Sequence, residues 1–403
     1  MRNNYKRLGD YIELVDQRNE DLAIDILLGL SISKEFIPSV ANTIGTNMKK
    51  YKIVHKNQFA CSIMQVRRDG KMPVAILKSH DKAIISQAYP VFKVKDGSVL
   101  NPDYLMMWFK RKEFDREATF HAVGGVRGSL EWEDFMNFKL PVPPIEKQRQ
   151  IVAEYNAVDN RIRINEQLNQ KLEETAQAIY KHWFVDFEFP YLTSSGVEMP
   201  YKSSGGKMVY NEELDKEIPE GWEVKSLGSI ISILDSKRIP LSKSEREKMK
   251  GIYPYYGAAS LMDYVNNYIF DGTYILLGED GTVMNDDRSP VLQYVWGKFW
   301  VNNHAHIITG KNSYKPEFIY MILKNCDVSS IITGGVQAKI SQTNLKGFKI
   351  LKSNDYLIKS FSLLVSELFN NIKKCSDENI QMKDLSNIIL SKMSKIEVEK
   401  EVI

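Results

Sequence analysis

Two glycine turns set among basic residues carry the chemistry this sequence can do. In the first half, Val123-Gly124-Gly125-Val126-Arg127-Gly128 offers Arg127, and Arg67, Arg68 and Lys71 gather around Asp69-Gly70. In the second half, Gly334-Gly335-Val336 leads into Gln337 and Lys339, while Lys237-Arg238 and Arg288 lie in other polar stretches. Arg and Lys neutralise phosphate or bind guanine, and Gln can read adenine. Glycine lets a backbone come close to whatever is bound. Taken singly, each of these residues reads equally well as a charge on a solvated turn. The two glycine loops hold matching places in the chain, and that favours contact with nucleic acid.

Residues for bond making are few. The chain has no Asn-Pro-Pro-aromatic or Asp-Pro-Pro-Tyr tetrapeptide of the amino-methyltransferase kind. Gly205-Gly206-Lys207-Met208 departs from the phosphate-cradling Gly-x-x-x-x-Gly-Lys-Ser/Thr pattern. Glu223-Val224-Lys225, with Asp215 upstream, matches the end of a nuclease motif. That match is common by chance, and a solvated strand start is the better reading. His304 and His306 alternate along an expected strand and so share a face. Two histidines alone make a poor zinc site, so a strand-face pair with a polar neighbour is expected. Cys61, Cys326 and Cys375 show no metal spacing and read as reduced core thiols.

The elements that must position these loops are long helices. From Pro143 to Phe187 no Gly or Pro interrupts the chain after the two opening prolines, which suit a helix start. Ile151, Val158, Ile162, Leu172 and Ile179 fall on a seam of 3–4 spacing, with Asn165 and Asn169 near its middle. Such a stripe needs a partner helix. The C-terminal stretch supplies one, with Phe361, Leu368, Ile372, Met382 and Ile389 on an equivalent seam and Asn379 in line. Its offset from the first seam is 210 (361 − 151).

The globular stretches repeat as well. Leu227-Gly228…Asp235 echoes Leu8-Gly9…Asp16 at an offset of 219 (227 − 8). Pro316-Glu317-Phe318 echoes Pro102-Asp103-Tyr104 at 214 (316 − 102), and Gly334-Gly335 echoes Gly124-Gly125 at 210 (334 − 124). The order is kept and the interiors differ. The expected organisation is residues 1–142, a helix over 143–189, a surface linker over 190–216, a second unit over 217–352 and a second helix over 353–403. An opening helix is expected ahead of Lys237-Arg238.

Composition sets the class. At 403 residues with 43% hydrophobic and 26% charged side chains, the chain suits two or three soluble domains. A net charge of +3 makes any nucleic-acid surface a local patch. With no leader-like opening and no membrane-length apolar run, a cytoplasmic protein without a membrane partner is expected.

The pattern resembles the specificity subunit of type I restriction–modification systems. Leu140-Pro141-Val142-Pro143-Pro144-Ile145-Glu146-Lys147-Gln148, Tyr201-Lys202-Ser203-Ser204-Gly205-Gly206, Ile218-Pro219-Glu220-Gly221-Trp222, and Tyr253-Pro254-Tyr255-Tyr256-Gly257-Ala258 with Ile275-Leu276-Leu277-Gly278 carry the likeness across nearly the whole chain. The chain departs from it at Ile350-Leu351-Lys352-Ser353-Asn354, where a proline-rich lead-in to the second helix would stand. The resemblance implies an α+β fold of two α/β target-recognition domains separated by two long antiparallel coiled-coil helices, with a pseudo-two-fold repeat. It implies that each domain reads half of a bipartite asymmetric site on double-stranded DNA and that the helices set the spacer and dock two methylation subunits. Motor–nuclease subunits would join through those, and S-adenosylmethionine, ATP and Mg²⁺ would belong to the partners. Such a subunit is not itself an enzyme. The alternative is a stand-alone site-specific nuclease or methyltransferase that uses the same domains for recognition.

Overall fold

A computed structural model describes residues 5–40, 45–124, 128–193, 196–312, 314–335 and 337–393. The chain packs into two compact units, one formed by Met1–Ile164 with Glu378–Ile403 and one by Asn165–Asp377. The expected recognition stretches 1–142 and 217–352 each lie within one unit. The long helices, Ile145–Tyr180 and Asp355–Lys392, are each divided between the two.

In the first unit, Tyr5–Arg7 pairs antiparallel with Lys139–Pro141. A four-stranded sheet runs in the order Ile12–Val15, Val91–Val94, Phe59–Cys61, Val74–Ile76. The helices Pro102–Phe109 and Trp132–Asn137 close the core. The second unit repeats this frame. Glu223–Ser226 pairs with Lys349–Lys352. Its sheet runs Ile231–Ile233, Ala305–Gly310, Tyr274–Gly278, Leu292–Val295. Pro316–Lys324 and Gln342–Gly347 are the matching helices.

Gly9 and Gly228 show why the repeat keeps a glycine. Each is the middle residue of a one-turn 3₁₀ segment, and the preceding leucine N–H donates to a phenylalanine carbonyl at 2.7 Å, Leu8 to Phe138 and Leu227 to Phe348. A Cβ on Gly9 would stand 3.1 Å from the Met136 carbonyl oxygen, and one on Gly228 3.0 Å from that of Lys346. Neither site has room for a side chain. The segment before Lys237 is therefore strand and 3₁₀ turn, not the opening helix expected from sequence. The β-branched run Ile230, Ile231 and Ile233 suits the strand.

Within the first unit, the expected seam is buried. Ile151, Val152 and Tyr155 share a core cluster with Ile389, Leu390 and Met393. Arg161 grips Glu378 with two bonds of 2.9 and 3.0 Å, and Asn379 donates to the Ile162 carbonyl at 3.3 Å. Partners descend along one helix as they climb the other, so the segments are antiparallel. Val158 is buried here, and Ile162 and Met382 are half-buried.

The second unit shows the same antiparallel pairing. Asn165 donates to the Cys375 carbonyl at 3.5 Å, and the Tyr180 and Phe361 rings lie 5.9 Å apart. Ile179, Leu368 and Ile372 pack on a cluster containing Ala176, Phe361 and Val365, and Leu172 is half-buried. Asn354 replaces the missing prolines, because its side chain accepts the Leu357 N–H at 2.9 Å and caps the second helix.

One expectation is corrected, and another gains detail. The first helix leaves α geometry after Tyr180 through a π turn, Lys181–Val185, and Phe187 has φ 64°. The expected surface linker 190–216 contains strand pairing of its own. It holds the hairpin Pro190–Leu192 with Glu198–Pro200 and begins a second, Met208–Asn211 with Lys216–Pro219. Aromatic stacking accounts for the order of this stretch: Phe189 lies 4.5 Å from Tyr201 and 5.3 Å from Trp222, ring to ring.

Candidate nucleic-acid interface

The first unit brings a basic turn against Gly128, the end of the sequence-distant glycine loop. Val66–Asp69 forms a single helical turn closed by Gly70 at φ 62°. It leaves Arg67 and Arg68 exposed, and Lys71 beyond it is exposed too. The Arg67 N–H donates to the Gly128 carbonyl at 3.3 Å, and a Cβ at Gly128 would come within 2.5 Å of the Arg67 Cβ. Gly128, at the end of the glycine loop, is therefore packed directly on the basic turn. A Val123–Ser129 bridge closes the loop. Arg127 itself lies outside the described residues. Arg68 holds Asp69 at 2.6 Å, and this bond keeps the Asp69 carboxyl below the usual carboxylate range.

A buried pair steadies this edge from behind. The Lys34 ammonium donates to Asp115 at 2.7 Å, and Asp115 also accepts the Met72 N–H at 3.1 Å. Burial draws Lys34 below the usual lysine range against the pull of Asp115.

In the second unit the glycine loop becomes a hairpin, Ile332–Thr333 paired with Lys339–Ile340. Gly334 has φ 92°, and a Cβ there would meet the Gln337 carbonyl oxygen at 2.2 Å. Gln337 and Lys339 are exposed, as is Lys237. Arg238 is placed differently from its neighbour. Its guanidinium turns inward to Glu279 at 2.6 Å and to the carbonyls of Asn303 and Ala305 at 3.1 and 2.9 Å. Arg288 is exposed in another turn, at φ 65°, and pairs with Asp327 at 3.4 Å.

Arg238 belongs to an ionic cluster that pattern reading did not assemble. His306 Nδ1 lies 2.6 Å from an Asp235 carboxylate oxygen, and Nε2 lies 2.8 Å from the Ile340 carbonyl oxygen. Asp235 also accepts the Ile307 N–H at 3.0 Å and the Gln342 amide at 2.6 Å. Burial works to raise the Asp235 carboxyl. The bonds from His306 and Ile307, with Arg238 close by, outweigh burial and hold it below the usual range. Glu279 follows the same balance, with Arg238 and Lys339 as its partners. His304 stands in the turn before its strand and meets Asp280 at 2.8 Å. The two histidines thus each have a polar neighbour, but only His306 lies on the strand, where it is buried, while His304 is exposed in the turn.

Asp235, Glu279 and His306 offer donor atoms within 4.8 Å of one another, the one group among the described residues able to hold a metal. Arg238 already supplies positive charge there, 2.6 Å from Glu279 and 3.5 Å from Asp235. The nuclease-like residues are engaged elsewhere: Glu223 pairs with Lys225 at 2.7 Å, and Asp215 accepts the Tyr210 hydroxyl. Among the described residues no helix is long and apolar enough to cross a membrane.

Comparisons with known proteins bear on both units. The family model described as the type I restriction modification DNA specificity domain matches residues 24–174 and 219–351. The chain is similar to the type I restriction enzyme MjaIX specificity subunit of Methanocaldococcus jannaschii, 25% identical over 318 residues, 74% of this chain and 69% of that one. It is similar to a putative type I restriction enzyme specificity subunit of Haemophilus influenzae, 34% identical over 145 residues, 36% of this chain and 37% of that one. In fold it is similar to the crystal structure of a type I restriction–modification S subunit from M. genitalium, with TM-score 0.54 at 15% identity, covering 96% of this chain and 95% of that one.

Proposed function

Because the chain belongs to the type I restriction modification DNA specificity family, we propose that it is the non-catalytic DNA-reading subunit of a cytoplasmic type I restriction–modification complex. Each unit reads one half of a bipartite, asymmetric site on double-stranded DNA. The first reads through Arg67, Arg68, Lys71 and the loop closed by Gly128. The second reads through Lys237, Gln337 and Lys339. The long helices set the separation of the half-sites and dock two methylation subunits, through which motor–nuclease subunits join. S-adenosylmethionine, ATP and Mg²⁺ act on those partners.

One observation carries this reading. A single frame is built twice, and in each copy a glycine turn presents a basic edge while the interior differs. One scaffold with two interiors suits two readers of different sequence. Apolar residues left exposed on the helices support docking, Tyr356, Leu363 and Leu364 in the second unit and Ile164, Ile380 and Ile388 in the first.

The test is an exchange of residues 1–142 for the matching stretch of a family member with a different site. Methylated adenines are then mapped in cells that supply the methylation subunits. One half-site is expected to change and the other to persist. A change in both half-sites would sink independent reading.

A further inference from the structure

The ionic cluster of the second unit ends on the hairpin that carries Gln337 and Lys339. Ile340 receives the His306 bond on its carbonyl and donates its N–H to the Glu279 carbonyl at 2.9 Å. The Gly281 N–H donates to the Ala338 carbonyl at 3.0 Å. The second strand of the hairpin is therefore pinned to the end of the sheet. The Lys339 ammonium then reaches Glu279 at 3.2 Å while its side chain stays half exposed. Glu279 cannot swing to follow it, because Arg238 holds the other carboxylate oxygen at 2.6 Å.

That geometry restricts what Lys339 can bind. A lysine free to swing contacts phosphate and carries no sequence information. Here one of its three N–H donors faces Glu279, and two remain. An approaching phosphate would meet the Glu279 carboxylate and, next to it in the chain, Asp280, whose backbone pairs with that of Lys339 and whose carboxylate is shared with His304. A neutral pair of acceptors meets neither penalty. On the major-groove edge, the base that offers two adjacent acceptors is guanine, through O6 and N7.

We infer that Glu279, fixed by Arg238, is a positioning residue that turns Lys339 from a phosphate contact into a reader of guanine in the second half-site. The inference rests on the DNA-reading role proposed above. Glu279 itself touches no base and acts through Lys339.

The experiment uses the full chain with its methylation subunits and a randomised DNA library, with selected sites sequenced for wild type, K339A, E279Q and the double variant. Wild type is expected to prefer guanine at one position of the second half-site. K339A should lower that preference on the order of tenfold or more. E279Q should lose the preference at the same position and no other, while total DNA affinity holds or rises and grows more salt-dependent, because the freed ammonium now meets phosphate. The double variant should match K339A, since the two residues act in series.

E279D keeps the charge beside Arg238 but withdraws from Lys339. It should show the same single-position loss in a protein that melts as wild type does, which covers any unfolding of E279Q. The inference is overturned if Glu279 variants weaken every position of the half-site alike, which would mark a purely structural role. It is equally overturned if they and K339A alter different positions, or if K339A leaves the site unchanged. In that last case the wild-type complex would still select a bipartite site, and the proposed function would stand. Selection of no site by the wild-type complex would instead remove the function and the inference together.

Discussion

Asp235 is where most of the polar contacts of the second unit converge. One carboxylate oxygen takes a backbone N–H, and the other takes His306 and Gln342. Converting it to asparagine leaves Arg238 and His306 facing a neutral group in a buried site. Breaking one partner of a buried charged pair costs about 3–5 kcal/mol. Its carboxyl is held below the usual range in the folded chain, against about 3.9 for a free aspartate. A depressed carboxylate gives stability that is complete above the unfolded value and lost as pH falls through the folded one. D235N is therefore expected to lower thermal stability at about pH 5 and above, and by progressively less as pH falls below about 4. Melts at a series of pH values check this, and a gap that persists undiminished at pH 3 would contradict it. Sequence reading did not assemble this cluster, because its members lie 71 and 107 positions from Asp235 and no local pattern joins them. One signal was available. Asp235 matches Asp16 at the repeat offset, and in the first unit Asp16 also ends its strand beside a cation, Arg18 at 2.7 Å. The exposed basic turns were legible for the opposite reason, since Asp69-Gly70 and Gly124-Gly125 announce themselves within a few residues.

At the scale of elements, the frame was legible because it was written twice, and close packing explains what each copy kept. Gly228 illustrates the constraint. An alanine there would set its Cβ 2.9 Å from the Lys346 Cβ and 3.0 Å from the Lys346 carbonyl oxygen. The helix Gln342–Gly347 must then shift, and overpacking of this kind costs about 1–3 kcal/mol. G228A is expected to lower the melting temperature of the second unit by about 2–4 °C per kcal/mol lost. G97A meets no neighbour within 4 Å and should melt as wild type does. Equal melting of the two variants would show that the Gly228 site has room for a side chain after all. The hairpins between 190 and 219 escaped notice because their order comes from Phe187, Phe189, Tyr201 and Trp222 stacking on one another. The local sequence there is polar and turn-rich, so periodicity gives no sign of it. Asn354 was legible as a departure from the proline pattern and proved to supply the helix cap by another route. The interiors of the two units diverge most. The second inserts the sheet of Lys250–Tyr256, Leu261–Val265, Lys298–Val301 and Phe270–Asp271, and only the first has the helix Lys112–His121.

For the molecule as a whole, the repeat predicts what half of it will do alone. A fragment of residues 1–180 keeps the first frame and the first long helix but loses every residue of the second helix. Ile151, Val158, Ile162, Leu172 and Ile179 are then uncovered along one stripe. An apolar stripe of that length should not remain in water, and the nearest matching seam is a second copy of itself. The native contacts say how it would fit. In the intact chain Asn379 donates to the Ile162 carbonyl and Asn165 to that of Cys375. Asn379 and Cys375 are the repeat equivalents of Asn169 and Asn165, at the offset of 210 (379 − 169). An antiparallel pair of fragments therefore places Asn169 of the second copy where Asn379 stood and brings the two Asn165 residues together at a dyad. Slipped registers would leave these polar groups buried without partners, which disfavours them. A self-complementary surface of this kind closes as a two-fold dimer. Such a dimer carries two identical readers related by the dyad, and the sequence it selects must share that symmetry. With the methylation subunits it is expected to modify an inverted repeat of the first half-site and to ignore the asymmetric site of the intact chain. Light scattering establishes the dimer, and mapping of methylated adenines establishes the site. A soluble monomer, or a dimer still selecting the asymmetric site, would show that the halves are not equivalent in the way their matched seams require.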